Sequence, residues 1–511
     1  MAAKTPQNWL SKMLPFPRPE YAQQTESLLI DLVWNSKGST LSEQELLAKL
    51  AKAIAPTGRT SPDPRRLVFA SRPGHSVGNK SIETFSLAEE ADISQLISSR
   101  SGVKPTRAVL TSLVAPRARG GKSDACVPVH PALTSLQTLN GLVNKANPPD
   151  LAKAIEIMGL LGGSGAEGEV AVSYIKAFQG LPGPKEGTTG LLASLSEIIA
   201  GGVWDSLQAR TPGSPVEKWP GVGSLNPEPE QAALSIYSGT PFTWFWSKWS
   251  CLTDPSAGWY MKLPARRFVD WALCLVRTGL AFSYLWEARF YTQLQGQIAD
   301  RRWGIRRRGE GPDVRSMLTD KTILATFEPL SVPARQKNIW PGTKELLARG
   351  HVARDRLLSF PREDAPDPPG MTAAEMLDAW VQGLTNDDIV ELGEPLKTQR
   401  NTAANQQEFV RYLLLPRSSD DDLSDQADFY YLARTNGAST WFQPGPEWLV
   451  VITSLLCGKT GGECTLGELV EDLNCLGIRV DRSVLVGLLE EAGLSTDSPD
   501  ADNALVIKSG F

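Results

Sequence analysis

Between Pro264 and Arg308 the chain reads PARRFVDWALCLVRTGLAFSYLWEARFYTQLQGQIADRRWGIRRR. From Ala265 to Asp300 this stretch holds no proline and only two glycines, Gly279 and Gly296. A run of that length without a helix breaker predicts one long helix. On a wheel turning about 100° per residue, Phe268, Ala272, Leu275, Val276, Leu280, Phe282, Trp286, Phe290 and Leu294 share one very broad apolar face. Arg266, Asp270 and Arg277 fall on the remaining stripe. A helix that is apolar over most of its circumference has to be covered on several sides. The stretch therefore predicts the core helix of an all-α region. Arg277 and Glu287 interrupt the apolar run before it reaches the roughly 20 residues that a bilayer requires, which argues against a membrane span.

Glu287 is out of place on that wheel, because it projects among Val269, Val276 and Leu294. A carboxylate there needs a partner or a raised pKa. The plain expectation is an arginine from a neighbouring helix. The functional alternative is a general acid or base, and with Asp270 a metal-dependent nuclease or hydrolase.

Past Asp300 the character changes. Arg301, Arg302, Trp303, Arg306, Arg307 and Arg308 combine planar phosphate-binding forks with a ring that stacks on bases, so they form a candidate nucleic-acid contact. A second, smaller basic set, Arg117, Arg119 and Lys122, lies in the glycine-containing loop APRARGGKSD. Residues 261–360 carry 18 Lys and Arg against 9 Asp and Glu, a net of +9, although the whole chain stands at −5. Such asymmetry points to a polyanion or an acidic partner.

At 511 residues the length alone predicts about two to four domains, and composition divides the chain more finely. The divisions read from composition are 1–125 (helices and short strands, winged-helix-like), 126–230 (helical), 231–345 (aromatic-rich core with the basic extension), 346–440 (helical) and 441–511 (winged-helix-like). Tryptophan outnumbers tyrosine 15 to 9, and Trp244, Trp246, Trp249, Trp259, Trp271 and Trp286 are concentrated around the long helix. The aromatic segment Pro241–Tyr260 is therefore expected to pack on it. None of the six cysteines forms a C-x-x-C pair, and they read as reduced thiols of a cytoplasmic protein.

Along the rest of the chain, Gln24–Asn35, DLAKAIEIMGLLG, EVAVSYIKAF, Thr372–Gly383 and Asn401–Leu415 have helical patterns. Residues from Gly309 to Gly342 read as irregular. Asp420, Asp421, Asp422, Asp425 and Asp428 precede FYYLAR and are read as serving the N-terminus of a helix. The last segment is the most interpretable. Pro446–Cys457, Thr465–Leu476 and Arg482–Leu494 read as three helices, followed by a strand at Ala504–Lys508 in a wing-like hairpin, the order of a winged helix. From Gly445 to Phe511 there are 4 Lys and Arg against 11 Asp and Glu, a net of −7. Phosphate neutralisation drives most nonspecific DNA affinity, so this module is read as docking a protein.

Several motifs fail on inspection. Cys457-Gly458-Lys459-Thr460 resembles the end of a phosphate-binding loop, but Thr453 stands where a glycine is needed. Gly162–Gly168 follows a helix and lacks the lysine. Cys126 and His130 supply two ligands without a second pair. No cofactor and no metal is expected. The combined expectation is a mainly α, multi-domain protein with small winged-helix-like α+β modules. It would be a non-enzymatic subunit or adaptor of a larger nucleic-acid-handling complex, of which restriction and phage-defence complexes are one kind, with other protein subunits and nucleic acid as partners and no membrane. The alternatives are the nuclease or hydrolase above and a purely structural scaffold.

Overall fold

The structure is a computed structural model. It describes residues 10, 13–18, 25, 28–29, 32, 151–165, 168–180, 236–304, 338–360, 373–399, 401–416, 430–437, 439–479, 481–495 and 505–511. These are mostly helical, with two small antiparallel two-stranded sheets. In chain order the elements are α1 (Leu151–Leu161), α2 (Glu169–Gly180), α3 (Pro241–Thr253), α4 (Trp259–Lys262), α5 (Ala265–Gly304), α6 (Trp340–Leu358), α7 (Ala373–Gln382), α8 (Asn386–Leu392), α9 (Ala404–Leu414), β1 (Ala433–Asn436), β2 (Ser439–Phe442), α10 (Pro446–Leu456), β3 (Glu463–Thr465), α11 (Leu466–Cys475), α12 (Arg482–Glu491) and β4 (Val506–Lys508).

The long stretch folds as one 40-residue helix, α5, which at 1.5 Å per residue runs roughly 60 Å. Its neighbours surround it, as its all-round apolarity requires. α6 runs along it, and α3, α1, α8, α9 and α10 cover its other sides. Among the described residues one helix, Arg266–Asp300, is long and apolar enough to cross a membrane, yet 94% of its most apolar window is buried inside the fold. Arg277, on the stripe that the wheel leaves polar, is buried as well. Its Nε and Nη2 donate to the carbonyls of Leu413 (3.1 Å) and Leu415 (2.7 Å) at the end of α9. The cation thereby satisfies carbonyls that a helix C-terminus leaves without partners.

Local chemistry explains the helices that seat on α5. Pro341 falls in the first turn of α6, where its missing N–H costs nothing. Reading the chain as irregular through Gly342 therefore starts this helix too late. Gly350 then lets α6 approach α5 closely, since a Cβ at that position would lie 2.4 Å from the Cα of Ala288. For α3, Pro241 again occupies the first turn, and the backbone N–H of Thr240 donates to Thr243 Oγ1 at 3.2 Å. The aromatic segment packs on α5 as expected. Phe242 meets Trp286 edge-on at 5.6 Å, Trp286 stacks on Phe290 at 5.1 Å, and Trp259 lies 5.4 Å from Trp271. The glycine-rich connection between α1 and α2 is closed by Glu156, whose buried carboxylate accepts the N–H groups of Val170 (3.2 Å) and Ala171 (2.8 Å) at the start of α2.

The region after α9 departs from expectation. FYYLAR does not open a helix, because Ala433–Asn436 is strand β1, paired with β2 in the register Ala433↔Phe442 to Asn436↔Ser439. Gly437, at φ +57°, is the first residue of the two-residue loop, where a hairpin turn takes a positive φ. Further on, the three expected helices appear as α10, α11 and α12. The strand after them does not form its own hairpin among the described residues. β4 pairs instead with β3, a three-residue strand ahead of α11, in the register Glu463↔Lys508 to Thr465↔Val506.

The C-terminal elements pack onto the body. Trp448 Nε1 donates to Thr278 Oγ1 on α5 at 3.0 Å, and Arg267 Nη1 meets Glu447 Oε2 at 2.6 Å. On α3, buried Lys248 pairs with Asp472 of α11 at 2.6 Å, and Trp244 Nε1 donates to the other oxygen of that carboxylate at 2.9 Å. The buried apolar side chains form one continuous cluster from Leu10 to Ile507.

Candidate functional site

The expected basic site is reached only at its edge. Arg301, Arg302 and Trp303 occupy the last turn of α5, so the helix carries the basic sequence directly off the end of a buried rod. Arg306, Arg307 and Arg308 lie outside the described residues, as do Arg117, Arg119, Lys122, the aspartates of 420–428, and Cys126 with His130.

The two carboxylates of the hydrolase alternative are not brought together. Seventeen positions apart on one straight helix, Asp270 and Glu287 stand roughly 25 Å from each other. Each has its own arginine. Asp270 Oδ1 accepts from Arg266 Nη2 at 2.7 Å, one turn away. Glu287 Oε1 lies 3.5 Å from Arg354 Nε of α6. This is the neighbouring-helix arginine that the wheel called for. Among the described residues no group of three or more His, Cys, Asp and Glu side chains is placed to hold a metal ion.

Glu287 nevertheless lines a small cleft. It is lined by Arg18, Glu287, Tyr291, His351, Arg354 and Gln406, and it opens to solvent on one side. Glu287 and Arg354 approach without hydrogen-bond geometry, so their attraction is a charge pairing rather than a shared proton. Burial pushes the Glu287 carboxyl up to about 7, against the opposing pull of the Arg354 and Arg18 charges. Burial also lowers His351, with Asp355 opposing that shift and Arg18 and Arg354 reinforcing it. The N-terminal segment forms one wall. Arg354 Nη2 donates to the Phe16 carbonyl at 2.6 Å, Arg18 pairs with Asp355, and Phe16 packs against Phe242 and Tyr284. The result is a buried carboxyl that changes charge near neutral pH beside a fixed cation. It stands under a short strap from a distant part of the chain.

No known protein family, curated protein or solved structure matches this chain. Any functional reading therefore rests on the residues themselves. Reading along the sequence singled out Glu287 but missed Arg354 and His351, because nothing in their own helix marks them as facing it. It also missed Lys248 and Asp472, whose pairing crosses 224 positions. The only sequence signal for Lys248 was its place inside an otherwise apolar aromatic segment.

Proposed function

We propose that this chain is a non-enzymatic subunit or adaptor of a larger nucleic-acid-handling assembly. In this reading the helical body is a rigid hub, the basic extension of α5 contacts phosphate, and a winged-helix-like C-terminal module docks a protein. The observation that carries it is the continuation of the buried 40-residue helix into Arg301, Arg302 and Trp303. A rigid rod that ends in arginines delivers charge to a partner without a large ordering cost.

Two further features support this reading. The charged groups buried in the body, Lys248, Arg277, Glu156 and Glu287, each meet a complementary group of the same protein, so their role in the fold is accounted for. The C-terminal order α10–β3–α11–α12–β4 supports the winged-helix-like reading. At its third helix, Asp481, Glu490 and Glu491 are exposed with Arg482 as the basic residue, a poor surface for reading DNA and a fitting one for a basic protein face.

Replacing Arg301, Arg302, Arg306, Arg307 and Arg308 with alanine tests the phosphate role. Binding to duplex DNA and to single strands is measured across a salt series. The expected result is weaker binding and a log–log salt slope shallower by about 0.9 per lost duplex contact. An unaltered affinity and slope would remove nucleic acid from the reading and leave a scaffold that contacts only proteins.

A further inference from the structure

Seven positions separate Cys457 and Cys464, too many for a local redox motif. The fold brings their sulfur atoms to 3.3 Å. Glycines make this possible. Gly458 and Gly461 turn the chain at φ +79° and +68°. The backbone at Gly462 lies so near the Cys457 carbonyl that a Cβ there would be 2.4 Å from its oxygen. Residue 464 is thereby laid back over the end of α10. Cys457 is half-buried and flanked by exposed Gly458 and Lys459, whereas Cys464 is buried at the start of the small sheet.

We propose that Cys457 and Cys464 form a reversible dithiol–disulfide site, with Cys457 as the attacking thiol and a low-molecular-weight disulfide as oxidant. The Cys457 thiolate attacks one sulfur of the small disulfide, giving a mixed disulfide on Cys457 and releasing one thiolate. The Cys464 thiol gives its proton to that leaving thiolate, then displaces the second small thiolate from the Cys457 sulfur. One protein thiolate, one protein thiol and one small disulfide become one protein disulfide, one small thiol and one small thiolate, so electrons and protons balance. The environment suits these roles. The Cys464 thiol and the Lys248 charge favour the Cys457 thiolate, while Cys464 itself is held protonated. Closing the bond needs the sulfurs to move only from contact to bonding distance, about 2.05 Å. In a reducing compartment, disulfides that do form are typically transient and sensing ones.

The same loop holds other parts together. Gly461 N–H donates to the Phe511 carbonyl at 2.7 Å, Ser509 N–H donates to the Gly462 carbonyl at 3.0 Å, and Cys251 on α3 donates to the Gly458 carbonyl at 3.2 Å. A disulfide across the loop thus clamps the β3–β4 edge at the junction with α3. The full-length protein is incubated with glutathione disulfide under native conditions, alkylated, and mapped by peptide mass. The expected product is a 457–464 cross-link, lost on adding a reducing thiol, with slower amide exchange over 458–463. Cys464→Ser is expected to accumulate a glutathione adduct on Cys457. Full alkylation of both thiols after treatment, a cross-link through Cys251 instead, or unchanged exchange in the cross-linked protein would each overturn the proposal. The mapping on the unaltered chain does not depend on any variant folding.

Discussion

Glu287 shows how one side chain links burial to pH. Its carboxyl has an ordinary value of 4.5 and is pushed up to about 7 in the fold by burial, with Arg354 and Arg18 limiting the rise. Between those two values the folded protein keeps a proton that the unfolded chain has released. Stability attributable to this group is therefore fully present below about 4.5, declines as pH rises through that window, and levels off above about 7. The loss is on the order of 3 kcal/mol. Glu287→Gln, which is neutral at every pH, is expected to flatten the decline. Urea unfolding at pH 5 and pH 8 checks this, and an equal pH difference in variant and wild type would sink the assignment. The wheel position of Glu287 made both its burial and its need for an arginine legible. Which arginine answers was not, since Arg354 lies on another helix 67 positions away.

The pairing of α5 with α6 depends on contact between backbones. Gly350 faces Ala288, and a methyl group there would overlap the Cα, Cβ and carbonyl of that residue. Gly350→Ala should cost about 1–3 kcal/mol or more by overpacking. Gly342, also in α6, has nothing within 4 Å of an added Cβ. Gly342→Ala should be neutral or stabilising by up to about 1 kcal/mol through helix propensity. Thermal unfolding of the two variants tests the pair of signs, and similar effects for both would mean that the helices do not meet as described. The α5 element was legible because its periodicity is local, whereas the segment that forms α3 was legible only as an aromatic stretch that would pack on it. The β1–β2 hairpin was not recognised, although Gly437 begins its loop, because the aspartate run ahead of FYYLAR suggested a helix start. β3 is three residues long, and its strand character depends on β4, more than 40 positions later.

The C-terminal helix α11 is joined to α3 through a buried charge. Lys248 is 3% exposed and depends on Asp472. Removing either partner alone leaves an uncompensated charge and is expected to cost about 3–5 kcal/mol. Lys248→Met with Asp472→Leu together should cost clearly less than the sum, because the remaining charge is gone, although Trp244 Nε1 then loses its acceptor. A urea-unfolding double-mutant cycle reads this coupling directly, and strict additivity would show that the pair does not hold α11 to α3.

Periodicity and composition were enough to place the long apolar helix, the aromatic segment that covers it, and the helices of the C-terminal segment. Each of these follows from residues within a few turns of one another, where side-chain spacing and caps decide the outcome. The pairings Glu287–Arg354, Lys248–Asp472, Arg277 with the end of α9, β3–β4 and Cys457–Cys464 were decided only when the chain packed. Such contacts join positions whose separation along the chain carries no periodic trace. They are selected by the need to satisfy polar groups that packing has removed from water.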